Sequence, residues 1–191
     1  RLWFLDQFEG QNAAYSEPQA VRITGPLDLG VTESVFNEII RRHEILRTTF
    51  STENGQPVQI IAPDLKISLR MTDLQNIAED QQADEVTRLT WDETEEPFDL
   101  SQGPLFRAAV LKLDDKTHVL LITLHHIITD DWSSDIFKRE FIALFNAFSR
   151  GTPSPLPDLK LQYADFAHWQ KEYLSGDLLE TQVAYWRKQL E

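Results

Sequence analysis

The residues best suited to chemistry are two adjacent histidines, His125 and His126, at the end of the apolar run that begins at Leu121, with Asp130 four positions after the second. Histidine titrates near neutral pH and serves as a general acid or base, so a pair held at the end of a rigid element is where proton-transfer chemistry is expected. On a strand, successive side chains point to opposite faces. His118, Leu120, Ile122, Leu124 and His126 then share one face, and Val119, Leu121, Thr123 and His125 the other. One histidine is the working group and the other a structural neighbour that bonds the backbone. The same alternation disfavours a metal site, because neighbouring strand histidines do not chelate one ion and no third strong ligand is spaced for it. The pattern also fits a strand end followed by a helix that Asp130 caps, aspartate being a good N-cap residue. Ser133 and Ser134 lie nearby, but the chain has no G-x-S-x-G nucleophile elbow.

A second cluster, Arg41-Arg-His-Glu-Ile-Leu-Arg47, ends the first long helical pattern. Cations there suit the helix dipole and read as a solvated last turn. Arg47, just past Leu46, feeds toward the sheet, where its guanidinium is placed to bridge a buried carboxylate, with Asp130 the candidate.

The surrounding elements must position these groups. Residues 1–8 read as an amphipathic helix and residues 19–24 as a short strand broken by Gly25-Pro26. Val35, Phe36, Ile39, Ile40 and Leu46 recur at helical spacing over residues 32–47. Asn54-Gly55 is a hairpin signal, followed by strands expected at 57–61 and 67–71. Residues 73–96 form an acidic helix with Val86, Leu89 and Trp91 on its inner face. After the loop at 97–104, strands at 105–113 and 118–124 make a second hairpin, and a helix runs over 132–148. The proline-rich stretch 151–157 excludes a helix interior, and two helices starting near 162 and 178 close the chain. Strands and helices without strict alternation predict an α+β fold, a mixed sheet covered by helices.

Composition narrows the function. The 191 residues hold 18 Lys and Arg against 31 Asp and Glu, a net charge of −13, which argues against nucleic acid or an anionic membrane as partner. The chain has no cysteine, which rules out disulfides, thiolate zinc sites and thiol catalysis and is compatible with the expected cytoplasmic location. Hydrophobic residues at 41% are enough for a core.

Four segments, in order and at fitting separations, resemble the motifs of the condensation domains of nonribosomal peptide synthetases. They are Arg1-Leu-Trp-Phe-Leu-Asp-Gln7, Arg42-His-Glu-Ile-Leu-Arg-Thr-Thr-Phe50, His125-His-Ile-Ile-Thr-Asp130 with Trp132-Ser133, and Tyr163-Ala-Asp-Phe-Ala-His-Trp169. Pro97-Phe-Asp-Leu-Ser-Gln-Gly-Pro104 is similar as well. The resemblance implies a chloramphenicol acetyltransferase-like lobe over 1–160 and, over 161–191, a crossing region toward a second lobe that this chain lacks. In that family two lobes form a V around a tunnel, so this lobe alone is expected to be inactive.

The implied activity is acyl transfer. The amine of one aminoacyl thioester attacks the thioester carbonyl of another, both carried on the 4'-phosphopantetheine arms of upstream and downstream peptidyl carrier proteins beside an adenylation domain. The product is a secondary metabolite such as an antibiotic, and the domain itself binds no cofactor and no metal. The resemblance makes His126 the active-site histidine, acting either as general base or by positioning the amine and stabilising the tetrahedral intermediate. His125 and Asp130 become structural, with Asp130 bridging Arg47. Asp131 stands where the family has glycine, which makes it a candidate modifier of activity, and its exchange for glycine is expected to raise the rate. Heterocyclisation relatives, which carry aspartates at the two histidine positions, are disfavoured. The other readings are a coenzyme A-dependent acyltransferase of the same superfamily and a non-catalytic docking module.

Overall fold

The computed structural model describes residues 2–10 and 12–191. Its core is set by β6 (Thr117–His125), which is buried at every position after the first. A four-stranded sheet forms around it in the order β1-β6-β5-β4, with β1 spanning Ser16–Thr24, β5 Phe106–Asp114 and β4 Arg70–Asp73. The β1–β6 and β5–β6 pairs are antiparallel and β4–β5 is parallel, so the sheet is mixed as expected.

Period-two alternation sends β6 into two cores. Leu120, Ile122 and Leu124 pack with Val35, Phe36, Ile39 and Ile40 of α2 (Leu29–Arg42) and Leu144 of α4 (Asp131–Phe148). Each fully buried side chain of this kind contributes about 1.5–3 kcal/mol. Val119 and Leu121 pack instead with Leu74, Leu111 and Leu113 under Val86 and Leu89 of α3 (Glu79–Glu95). Trp91, expected on that inner face, is 65% exposed. It lies two residues from Leu89 and five from Val86, which at 3.6 residues per turn puts it on the other side of the helix.

Two other boundaries differ from the sequence pattern for visible reasons. The long helix starts early, at Leu29, because Asp28 caps it through Val31 N–H at 3.0 Å. It ends at Arg42, where His43 turns extended, and only a 3₁₀ turn, Glu44–Arg47, continues toward β2. The strand expected at 67–71 is β4 at Arg70–Asp73. Ile67 is held by both ends of the Asn37 side-chain amide and Leu69 N–H by Glu33, which ties this stretch to α2 rather than to the sheet. β2 (Thr48–Glu53) and β3 (Gln56–Ile61) form a separate hairpin around Asn54-Gly55, both with positive φ. Such a two-residue turn matches the strand twist and suits these two residue types.

The chain divides into two compact units, Arg1–Asp158 and Leu159–Glu191. The first holds all the strands together with α1 (Leu2–Glu9), α2, α3 and α4. The second comprises α5 (Tyr163–Tyr173) and α6 (Gly176–Leu190). Along α5 the rings of Tyr163, Phe166, Trp169 and Tyr173 follow one another with centroids 6.0, 5.8 and 5.0 Å apart. No described helix is long and apolar enough to cross a membrane.

Candidate active site

The two histidines part where β6 ends. His125 is the last strand residue, 2% exposed, with its ring beside Tyr15 and edge-on to Phe98. Its Nδ1 accepts the Ile127 N–H at 3.0 Å, so the neutral ring carries its proton on Nε2. Burial, and next the neighbouring His126, push it down to about 4. A group so lowered is neutral at pH 7 and tied to the turn.

This depression has a pH signature. The unfolded chain takes up the His125 proton near pH 6.5, and the folded chain only near 4. Its contribution to stability is therefore complete above pH 6.5 and is lost as pH falls toward 4. At about 1.4 kcal/mol per pKa unit, reduced for solvent screening at the strand end, the loss is roughly 2 kcal/mol. His125→Asn keeps an acceptor for Ile127 and does not titrate. Urea denaturation between pH 7.5 and 4.5 should show a flatter profile for this variant than for the wild type, and parallel profiles would refute the assignment.

His126 follows the strand. Its N–H donates to Tyr15 O at 2.8 Å, so its backbone stays pinned to the start of β1, while its side chain is 43% exposed. Its Nδ1 pairs with the Glu17 carboxylate of β1. That bond leaves Nε2 free to take or give a proton. Sequence reasoning missed Glu17; the available signal was a carboxylate at the position that pairs with Leu124, on the His126 face.

Asp130 caps α4. Its carboxylate accepts Ser133 N–H at 2.8 Å and Ser133 Oγ–H at 2.5 Å. The Ser133 hydroxyl, then its N–H, and further the charge of His126 hold Asp130 below the ordinary carboxylate value. The expected Arg47–Asp130 bridge is not formed. Arg47 donates to Ala62 O and, at 3.3 Å, to Glu44, its neighbour in the 3₁₀ turn. The helix break at His43 separates Arg47 from the α2 face that packs on α4. Asp131 is the first residue of α4 and does not have positive φ, so it does not occupy a backbone position that demands glycine.

The buried arginine is Arg42, and its partner is Glu140 of α4. Arg42 Nε and Nη2 each donate to a Glu140 oxygen at 3.0 Å, Nη1 donates to Pro157 O at 2.8 Å, and His43 Nε2 donates to Glu140 at 2.9 Å. Burial works to raise Glu140, and the bonds from Arg42 and His43 outweigh it, leaving it below its usual value. The solvated-turn reading of Arg42 is thereby corrected. The signal was Glu140 itself, inside the apolar stripe of Ile136, Phe137, Phe141 and Leu144.

Next to this network, a cavity of about 90 Å³ opens between β6, α4 and the 3₁₀ turn, lined in part by Gln19, His43, Leu124, Ser133 and Phe137. Among the described residues no three histidine or acidic side chains cluster to hold a metal.

The helix-covered mixed sheet has the chloramphenicol acetyltransferase-like fold. The family model described as Condensation domain matches residues 1–191, and the chain belongs to this family. Over its full length it is 44% identical to malpinin synthetase of Mortierella alpina, and spans 2% of that protein. To chondramide synthase cmdD of Chondromyces crocatus it is 43% identical, again over its full length, and spans 5% of that protein. The X-domain from teicoplanin biosynthesis, solved in complex with OxyB, superposes with a TM-score of 0.81 at 30% identity, covering 92% of this chain and 38% of that one. The starter condensation domain of rhizomide synthetase RzmA superposes at 0.85 with 23% identity, covering 98% and 45%, and speaks for the fold.

Proposed function

We propose that this chain is the first lobe of a condensation domain that joins two carrier-bound thioesters through an amide bond. The observation that carries the reading is the HHxxxD segment of a condensation-family chain presenting one exposed histidine, His126, with its Nδ1 held and Nε2 free. The α-amine of the acceptor thioester attacks the donor carbonyl, the C–N bond forms, and the C–S bond breaks to release the donor carrier's thiol. His126 Nε2 receives the proton the amine loses and returns it to the leaving sulfur. A thioester is already activated and both substrates are tethered, so holding the amine in attack geometry supplies much of the acceleration.

The domain needs its second lobe, both peptidyl carriers and a neighbouring adenylation domain, all in the cytoplasm. The 4'-phosphopantetheine belongs to the carriers. His125 supports the turn and Asp130 the start of α4, while Arg47 secures the 3₁₀ turn rather than Asp130. The test is amide formation by the two-lobed domain with both carriers loaded, against coenzyme A thioesters with free amines. Product from the carrier pair supports the reading, and preference for coenzyme A thioesters overturns it.

A docking role is the second reading, favoured by the X-domain relative captured with OxyB. Binding of loaded carriers or another protein without turnover would support it. In the same assay Asp131→Gly is expected to raise the rate a few-fold. Because Asp131 sits in ordinary helix, the gain comes from removing charge, screened at this exposed site. Asp131→Asn should therefore match it, and no gain in either variant would sink the idea.

A further inference from the structure

We propose that Glu17 is a positioning residue for His126, fixing which ring nitrogen faces the substrates; this rests on the amide-forming reading above. Three features of the fold place Glu17 there. First, β1 pairs with β6 so that Ser16 stands opposite His125 and Glu17 opposite Leu124, and the His126 N–H to Tyr15 O bond continues that ladder one residue past the strand. Glu17 is thus the diagonal cross-strand neighbour of His126, within reach of a long side chain. Second, Glu17 precedes Pro18, and a residue before proline is confined to extended backbone. The proline is tolerated because β1 is an edge strand, so the carboxylate projects from a stiffened segment. Third, the other nearby carboxylate is occupied. Asp130 accepts both the N–H and the hydroxyl of Ser133, and its partner is the helix start rather than the ring.

The Glu17 bond does two things. An ionised carboxylate accepts only, so the ring must donate from Nδ1, which sets the neutral tautomer with its lone pair on Nε2. The same bond holds the ring against rotation at a site that is 43% exposed and has little packing to hold it. When Nε2 takes the amine proton, the carboxylate also stabilises the positive charge that develops on the ring.

The experiment uses the two-lobed domain with ¹⁵N-labelled histidine and both carriers loaded. Neutral His126 in the wild type should show the Nδ1–H tautomer. In Glu17→Ala the Nε2–H form should gain, and kcat should fall about 10- to 100-fold with KM for the carriers little changed, as expected for loss of alignment rather than binding. Glu17→Gln, which keeps an acceptor but loses the charge, should fall between the two. In a His126→Ala background Glu17→Ala should cost nothing more, whereas a merely structural loss would add to it. An unchanged tautomer, or an additive double variant, overturns the proposal. If the wild type makes no amide, the functional reading fails and the tautomer comparison still decides the role of Glu17.

Discussion

Glu140→Ala should destabilise the strand-bearing unit by about 3–5 kcal/mol, the cost typical of removing one member of a buried ion pair. Arg42 is 2% exposed in its side chain and Glu140 11%, and their two-pronged contact joins the last turn of α2 to the middle of α4. Without Glu140 the guanidinium stays buried and loses its two-pronged carboxylate, while its bonds to the carbonyls of Pro157 and Leu156 bring no compensating charge. Ordinary domains are stable by only about 5–15 kcal/mol, so the variant should show a large fall in its urea midpoint. Replacing both residues at once, Arg42→Met with Glu140→Leu, should recover most of the loss, because the penalty comes from keeping the charge buried without its carboxylate more than from the missing attraction. A Glu140→Ala midpoint within experimental error of the wild type would show that the pair is dispensable.

The same pair sets an acid limit. Glu140 is held below its usual value in the fold, so its share of stability is complete above the unfolded value near 4.5 and is lost as pH falls through the lower folded one. His125 acts in the window above, from 6.5 down to about 4. Acid destabilisation thus has two parts with separate variants to remove them.

The sequence made the scaffold readable where a local rule coincides with the tertiary demand. Asn54-Gly55 needs positive φ and has it, and the α2 stripe of Val35, Phe36, Ile39 and Ile40 is the core face it looks like. Strand alternation separates His125 from His126, but both faces of β6 are buried, and His126 reaches solvent because the strand ends at His125. What stayed hidden depends on partners far along the chain. Arg42 is one of three arginines over residues 41–47, and only the acid 98 residues later distinguishes it from Arg47. The Arg47–Asp130 expectation failed because α2 stops at Arg42, with no glycine or proline to announce it, and because the local cap of Ser133 satisfies Asp130. Glu17 was passed over because the strand was expected only from residue 19, whereas β1 begins at Ser16 and brings Glu17 into the ladder beside β6.

His126→Ala carries the largest expected effect on catalysis. In the complete domain with loaded carriers it should lower kcat about 10²-fold, at the lower end of the 10²–10⁴ typical for a general acid or base. The lower end is expected because the proposed reaction would ask little of the proton relay: a thioester needs no further activation, and two tethered substrates would already gain from proximity, which the variant retains. KM for the carriers should hold steady, since His126 is one side chain at a strand end. His125 provides the control. Its ring is buried and lowered to about 4, which leaves it neutral and bound to Ile127 N–H, so His125→Asn should act on stability as pH falls and leave kcat at pH 7.5 within a few-fold. Reversal of the two effects, with His125→Asn abolishing turnover and His126→Ala sparing it, would move the working group to the other face of the strand and refute the site described above.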